Sequence, residues 1–228
     1  LALTDHGNMN GFAYQVLHAK RMKKQGKDFK PIFGVEAYFI ESLDEWRSKL
    51  EEYKADKVKS KQIDNARSGT TVENEAESKS ATKHDINRKR HLVLVAMNQT
   101  GLNNIFKMVS TSYSGDYFYR KPRIDFDLLR ENSEGVIAMS ACLGGVYAGC
   151  YWENREQGEE AVLSCMREMT TKMMDIFGDR WYGELQWNGI AEQHELNQYI
   201  IKMHEEFGIR LVSTCDSHYP NPTAWQDR

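Results

Sequence analysis

Short apolar runs alternate with segments of helical periodicity along most of the chain. The runs that read as strands lie at residues 1–7, 31–40, 91–97, 135–145, 180–187 and 211–219. Between them, apolar side chains recur at steps of three and four, as in the stripe formed by Val162, Met166, Met169, Met173 and Phe177. Strands and helices that alternate in this way predict an α/β fold with a mainly parallel sheet, open or closed into a barrel.

Residues 41 to 90 break this alternation. They contain 12 basic and 11 acidic side chains, and they show no sustained period beyond a short helical pattern near Trp46. This composition predicts an exposed, partly disordered insertion within a single domain that spans residues 1–228. The cluster Arg88-Lys-Arg90 at its end could contact phosphate, and a solvated charge run is the alternative interpretation.

Charge and cysteine content narrow the class of protein. A net charge of −3 and an isoelectric point near 6.2 give no global basic field, so any contact with nucleic acid must be local. The four cysteines include no Cys-x-x-Cys pair, which favours a reducing compartment, the cytoplasm, over a disulfide framework. No apolar run approaches the roughly 20 residues that cross a bilayer, so we expect no membrane partner.

Both ends of the sequence read as interrupted elements. Leu1-Ala-Leu-Thr4 has the pattern of the middle of a strand, without an initiator methionine or a cap. At the other end, Trp225-Gln-Asp-Arg228 carries no terminating signal. We therefore expect a fragment that is truncated at the N-terminus and at the C-terminus.

Metal-binding side chains collect where the predicted strands end. Four sets occur there: Asp5 with His6, Glu36, Cys142, and Asp216 with His218. Asp216 and His218 are two residues apart and so share one face of an extended chain, whereas Asp5 and His6 cannot both face inward. In mainly parallel sheets the site lies at the carboxyl ends of the strands, so we expect these side chains to converge.

The donor types indicate which cations such a site would hold. Imidazole, carboxylate and thiolate groups suit zinc, oxygen ligands suit manganese, and magnesium is also compatible. The ligands outnumber what one tetrahedral ion needs, so we predict two or three divalent ions. Close-set metal ions are an established arrangement for cleaving phosphate esters.

Residues 117–125 interleave aromatic and basic side chains. This local chemistry suits a nucleic-acid backbone, so we predict nucleic-acid contacts from Arg120, Lys121 and Arg123. A rigid loop around Pro122 is the alternative interpretation.

The order of the motifs resembles a known family. The matching segments are Thr4-Asp-His-Gly-Asn-Met9, Gly34-Val-Glu-Ala-Tyr38, His91-Leu-Val-Leu-Val-Ala96, Lys121-Pro-Arg-Ile-Asp125, Ser133-Glu-Gly135, Cys142-Leu-Gly-Gly145 and Cys215-Asp-Ser-His-Tyr219. In this order they resemble the polymerase and histidinol phosphatase (PHP) domain of bacterial DNA polymerase III alpha subunits. The resemblance covers the chain except residues 41–90.

The resemblance implies a fold and a set of site residues. The fold would be a distorted (βα)7 barrel with its N-terminal strand missing from this sequence. The implied metal ligands are His6, Glu36, His91, Cys142, Asp216 and His218, and Asp5 would be a catalytic residue beside them. The family's His-x-His strand is absent here, and Val146 replaces the acidic residue that is usual after Gly-Gly. His91 begins its predicted strand, whereas the other ligands lie at strand ends.

Three functions are compatible with the sequence. In the first, the chain is the PHP domain of a replicative DNA polymerase and hydrolyses phosphodiesters, as a 3′-5′ proofreading exonuclease would. Its partners would then be DNA, other polymerase domains and replisome subunits. The second is a separate PHP phosphatase that acts on a small phosphate monoester such as histidinol phosphate. The third is a module that braces the polymerase without catalysis.

Overall fold

A computed structural model describes residues 1–67, 86–219, 221 and 223. Within them the strands are β1 Ala2–His6, β2 Ile32–Phe39, β3 Arg90–Ala96, β4 Phe118–Tyr119, β5 Lys121–Pro122, β6 Val136–Met139, β7 Trp181–Gln186 and β8 Arg210–Thr214. The helices are α1 Phe12–Lys24, α2 Leu43–Arg67, α3 Gln99–Ser112, α4 Phe126–Glu131, α5 Val146–Asn154, α6 Glu159–Phe177 and α7 Ala191–Phe207. The α/β class predicted from the sequence is confirmed.

Six strands form one sheet in the order β1-β2-β3-β6-β7-β8. Three of the five neighbouring pairs are parallel, namely β1 with β2, β6 with β7, and β7 with β8. The two pairs that involve β3 are antiparallel, so β3 alone runs against the other five strands. The reversal of β3 places its first residue at the edge where the other five strands end. The sheet is therefore mixed, and its carboxyl edge also receives the start of β3.

The two faces of the sheet bury different groups. On the outer face, Leu92 and Leu94 pack with helix residues such as Ile105 and Met108 in the main hydrophobic core. The inner face carries a smaller apolar cluster of Val93, Val95 and Ala141, with Ile32, Ile137 and Met139 against it. Alternate residues of β3 thus contribute to both hydrophobic clusters, because successive side chains of a strand point to opposite faces.

The sheet is curled. His6 ends β1 and His218 follows β8, and these two strands lie at opposite ends of the sheet order. The rings of the two histidines are nevertheless only 5.7 Å apart between centroids. The six strands therefore form part of a barrel wall, which brings the two outermost strands towards each other at the carboxyl edge.

The first half of the 41–90 segment differs from the prediction. Instead of a short helix near Trp46, α2 runs for 25 residues. Trp46, Leu50 and Tyr53 are buried in a separate hydrophobic cluster with Ile86, whose carbonyl accepts a hydrogen bond of 2.9 Å from Trp46 Nε1. This part of the segment is therefore packed rather than fully exposed. The predicted insertion also includes residues 68–85, which lie outside the described residues.

The cysteines also depart from the expected absence of disulfides. Cys150 in α5 and Cys165 in α6 are joined, with their Cα atoms 5.5 Å apart. The two positions are 15 residues apart in sequence, and the packing of α5 against α6 brings them together. Cys142 and Cys215 are free thiols.

None of the described helices combines the length and the apolar character that crossing a membrane requires.

Candidate metal centre

Three adjacent strands bring His6, Glu36 and His91 together on the inner face. His6 and Glu36 are register partners in the parallel pair β1 and β2. In the antiparallel pair β2 and β3, His91 is opposite Tyr38, which is two residues beyond Glu36 and on the same face. One ligand atom from each of the three side chains lies within 4.8 Å of the others. We name this group the His–Glu–His cluster.

Glu36 is the central carboxylate of the His–Glu–His cluster, and it is 6% exposed. Its Oε1 atom lies 2.7 Å from His91 Nδ1, and its Oε2 atom lies 3.6 Å from His6 Nδ1. Within the described residues, His6 Nδ1 is buried without a hydrogen-bond partner. A buried polar atom without a partner is costly, and a cation beside Glu36 would satisfy it.

Cys142 extends this cluster. Its Sγ atom lies 3.6 Å from His91 Nδ1 and accepts a hydrogen bond of 3.4 Å from the backbone N–H of Gly144. Burial, together with the smaller effect of the negative charges of Glu36 and Asp216, raises the pKa of the Cys142 thiol to about 12, although the Gly144 hydrogen bond acts to lower it. The thiol is therefore neutral near pH 7 unless a cation stabilises its thiolate.

The Gly-Gly turn after Cys142 packs closely against His91. The backbone N–H of His91 donates to the Gly144 carbonyl over 2.8 Å. A Cβ atom at position 144 would lie 3.1 Å from His91 Nδ1, so glycine permits the backbone to lie against the imidazole. The turn thereby fixes the position of the ring.

Asp216 and His218 reach the same edge from the other side of the curled sheet. Asp216 has a positive φ of 47°, and this turn carries the chain back towards β1. His218 Nδ1 lies 2.9 Å from the Asp216 carbonyl oxygen, and its ring is 5.7 Å from that of His6. The structure thus brings the six predicted ligand positions to one edge, with three of them in direct proximity.

Asp5 has a different environment. Its Oδ2 atom accepts a hydrogen bond of 2.7 Å from the backbone N–H of Gly11, next to the start of α1. Because Asp5 and His6 are consecutive in a strand, their side chains point to opposite faces. The contact with Gly11 holds the Asp5 carboxylate at the entry to α1, and the catalytic role of Asp5 stays a prediction.

The three predicted nucleic-acid contacts separate into two environments. Arg120 and Lys121 are exposed at the surface. Arg123 is 1% exposed, and its guanidinium donates to the carbonyls of Tyr119, Lys121 and Ile86. It also stacks 4.1 Å from the centre of the Trp46 ring. In this structure Arg123 therefore joins the loop to α2, whereas Arg120 and Lys121 remain accessible, and the nucleic-acid contacts stay a prediction.

Lys89 belongs to the Arg88-Lys-Arg90 cluster, and the structure places it near the candidate metal centre. The Nζ atoms of Lys89 and Lys121 lie 5.2 and 5.7 Å from the centroid of the Tyr38 ring. That ring is 6.0 Å from His6 and 5.6 Å from His91. Two basic side chains thus lie beside the Tyr38 ring, which in turn contacts both histidines of the His–Glu–His cluster. The Arg88-Lys-Arg90 cluster was the available signal, and only the fold could show which of its members faces the site.

Comparison with known proteins gives the family. The sequence matches the PHP domain over residues 1–188. It is 33% identical over 225 residues to DNA polymerase III subunit alpha of Aquifex aeolicus (strain VF5), a match that covers 97% of this chain and 16% of the relative. The corresponding subunit of Borreliella burgdorferi is 33% identical over 221 residues, covering 97% of this chain and 15% of the relative. That of Thermus aquaticus is 32% identical over 219 residues, covering 96% and 14%.

The chain thus spans between 14% and 16% of the length of these three relatives. The family match covers most of the chain, including the whole His–Glu–His cluster and Cys142. The resemblance inferred from the motifs is therefore confirmed. The chain belongs to the PHP domain family and is homologous to DNA polymerase III alpha subunits.

Proposed function

We propose that this chain is the PHP domain of a DNA polymerase III alpha subunit, and that its inner-face site hydrolyses phosphodiesters with bound divalent cations. The observation that carries the proposal is the His–Glu–His cluster, in which the buried Nδ1 atom of His6 lacks a partner beside a buried carboxylate. The residues present fit a cation because imidazole, carboxylate and thiol donors meet at one point.

The proposed ligands are His6, Glu36, His91 and Cys142, with Asp216 and His218 on the facing side. Two or three divalent ions, zinc or manganese, would be held there. When bound, such ions lower the pKa of water and neutralise charge on phosphoryl oxygens.

The chain's own residues would orient the substrate. Lys89 and Lys121 place two positive charges 5.2 and 5.7 Å from the centroid of the Tyr38 ring, which itself contacts His6 and His91. Phosphate groups of a DNA strand are attracted to such charges. These residues support a single-stranded DNA end as the substrate of a 3′-5′ exonuclease.

The proposal also includes a further strand of the barrel and the other domains of a longer polymerase subunit. A seventh strand carrying His-x-His would lie between β1 and β8 and complete a distorted barrel, which the curl of the sheet supports. DNA, the other polymerase domains and replisome subunits would be the partners, in the cytoplasm. Copying of DNA would belong to another domain.

A metal-content and cleavage assay on the intact protein tests this function. We expect wild type to bind two or three zinc or manganese ions per chain and to shorten single-stranded DNA from its 3′ end. His6→Ala and His91→Ala should each lose bound metal and reduce cleavage by about 100-fold or more. His194→Ala is the matched control, because this exposed histidine lies on α7 and its Nε2 contacts only the Asn188 carbonyl among the hydrogen bonds described.

The assay also separates the alternatives. Less than one ion per wild-type chain at saturating metal, or no cleavage with any of the metals tested, would refute the hydrolytic function and leave the bracing role. Faster hydrolysis of histidinol phosphate than of DNA would favour the phosphatase function instead.

A further inference from the structure

Glu184 in β7 is a buried carboxylate on the inner face of the sheet. A Cβ atom on the preceding residue, Gly183, would lie 2.6 Å from Ile200 of α7, so Gly183 faces the outer helices. Alternation along the strand then directs Glu184 to the opposite face, which is the one that carries the His–Glu–His cluster.

Strand register places Glu184 near the carboxyl edge. Val93 is paired with Met139, and Met139 is paired with Tyr182. Glu184 is two residues beyond Tyr182, and His91 precedes Val93 by two residues in the antiparallel strand. The side chains of Glu184 and His91 are therefore on the same face as Val93, Met139 and Tyr182. Each lies two residues closer to the carboxyl edge of the sheet.

Only one of the two carboxylate oxygens of Glu184 is satisfied. Oε1 accepts hydrogen bonds from Thr214 Oγ1 at 2.5 Å and from Gln186 Nε2 at 3.2 Å. Oε2 is buried without a hydrogen-bond partner in the described part of the chain, and the residue is 5% exposed. Both donors to Oε1 are neutral, so no positive charge in these contacts balances the carboxylate.

The surroundings of Glu184 add negative charge. Burial raises the pKa of the Glu184 carboxyl, and the charges of Asp216 and Glu36 raise it further, while the hydrogen bonds from Thr214 and Gln186 lower it. Thr214, which donates to Glu184, lies two residues before Asp216 in the chain. A divalent cation would offset this accumulation of negative charge.

We propose that Glu184 Oε2 is a ligand of a divalent cation held between β7 and the Asp216 turn, at a position distinct from the His–Glu–His cluster. The inference rests on the proposed function, and it adds a ligand to the six positions that the family resemblance supplies. The Glu184 and Asp216 carboxylates would supply oxygen donors at this second position, whereas the first includes two imidazoles and the Cys142 thiol. Oxygen donors favour manganese or magnesium, and the histidine and cysteine donors favour zinc.

Manganese binding to the intact protein tests this inference. Bound Mn²⁺ is counted by the loss of the electron paramagnetic resonance signal of the free aqueous ion, and bound zinc is measured separately. Glu184→Gln keeps the shape of the side chain and one oxygen that can accept from Thr214 and Gln186, while it removes the charge and the second oxygen. We expect this variant to bind one fewer Mn²⁺ per chain, or to bind that ion about 10- to 100-fold more weakly, with zinc retained.

Two further variants separate coordination from structure. Thr214→Val removes the hydroxyl donor to Oε1 and leaves the carboxylate, so its Mn²⁺ affinity should fall by much less than that of Glu184→Gln. Glu205→Gln removes an exposed carboxylate of α7 and should bind as wild type does. Amide exchange of residues 210–214 adds a readout that needs no metal. In metal-free protein, Glu184→Gln should slow this exchange, because one of the repelling charges is gone.

The outcomes distinguish the inference from the function on which it rests. Equal Mn²⁺ affinity and stoichiometry in wild type and Glu184→Gln would overturn the inference, as would equal losses in Glu184→Gln and Thr214→Val. Failure of wild type to bind any metal that depends on His6 or His91 would instead overturn the proposed function.

Discussion

A basic residue in an aromatic segment can either contact a ligand or stabilise the fold. Lys121 and Arg123 are only two positions apart, yet one is exposed and the other is buried. Lys121 is exposed and its Nζ lies over Tyr38 beside the histidines. Arg123 is buried between Trp46 and three backbone carbonyls. The residue types alone predicted nucleic-acid contact for both residues. The local sequence does not specify which of the two basic side chains becomes buried when the loop packs against α2.

These two positions give a paired prediction. Arg123→Ala should lower the free energy of unfolding by about 2–4 kcal/mol, since it removes a buried side chain and its hydrogen bonds to three backbone carbonyls. Lys121→Ala should change it by about 0.5 kcal/mol or less. Lys121→Ala should also weaken single-stranded DNA binding and reduce its logarithmic salt dependence by about one unit. Urea unfolding and DNA titrations at several salt concentrations measure these effects.

The same urea unfolding and DNA-binding measurements could contradict the predictions for Arg123 and Lys121. If Arg123→Ala unfolds at the wild-type urea concentration while DNA binding falls, the guanidinium acts on a ligand and the buried arrangement described above does not govern its role. If Lys121→Ala leaves the salt dependence unchanged, the lysine makes no phosphate contact.

At the scale of the element, the direction of β3 decides where His91 lies. The sequence predicted the strand and its histidine, and it placed His91 at the strand's first residues. A strand's pairing direction depends on partners that are distant in sequence, and the apolar pattern of a buried strand is the same in either direction. Antiparallel pairing with β2 and β6 brings the start of β3 to the carboxyl edge. The apparent conflict between His91 and the other ligands is thereby removed.

Helix α2 was underestimated for a different physical reason. Its many charged residues dominate the composition on which the prediction of an exposed insertion depended. The spacing of Trp46, Leu50 and Tyr53, at steps of four and three, was nevertheless available in the sequence as a narrow apolar stripe. That stripe needs a partner surface, which Ile86 and the partly buried Tyr119 supply from distant positions in the chain.

A second prediction follows from this packing of α2. Trp46→Ala should reduce the free energy of unfolding by about 3–5 kcal/mol, because it opens a cavity and removes the hydrogen bond to the Ile86 carbonyl. Val58→Ala is the matched control on the same helix, since Val58 is 56% exposed, and its effect should stay within about 0.5 kcal/mol. Urea unfolding followed by circular dichroism compares the two. Equal midpoints for Trp46→Ala and wild type would mean that α2 is not part of the stable fold.

At the scale of the whole molecule, the sequence was sufficient for the α/β class, the family and the convergence of side chains at one sheet edge. It did not supply the Cys150–Cys165 pair or the carboxylate at Glu184. Both depend on which helices and strands become neighbours, and this information is distributed over the fold. The local motifs that carry the resemblance lie at strand ends and turns, where residue type and position are set by short-range geometry.

The curled sheet concentrates negative charge at one edge, which gives the last prediction. Glu36, Glu184 and Asp216 come from three strands or their ends, and the charges of Glu36 and Asp216 raise the pKa of the Glu184 carboxyl in addition to the effect of burial. Chelation of divalent ions should therefore loosen this edge. In the intact protein we expect amide exchange of residues 2–6 and 210–216 to accelerate by about 10-fold, which corresponds to about 1.4 kcal/mol of local opening.

The rest of the domain supplies the control for this measurement. The buried face of α6 packs in the main core through Met166 and Met173, away from the carboxylates, so its exchange should not change on chelation. Adding back manganese or zinc should restore the slow exchange at β1 and β8 because the cations again neutralise the carboxylates that face one another across the curl. Acceleration spread evenly over α6 and the two edge strands would show that chelation acts on global stability, and unchanged exchange everywhere would show that no cation holds this edge together.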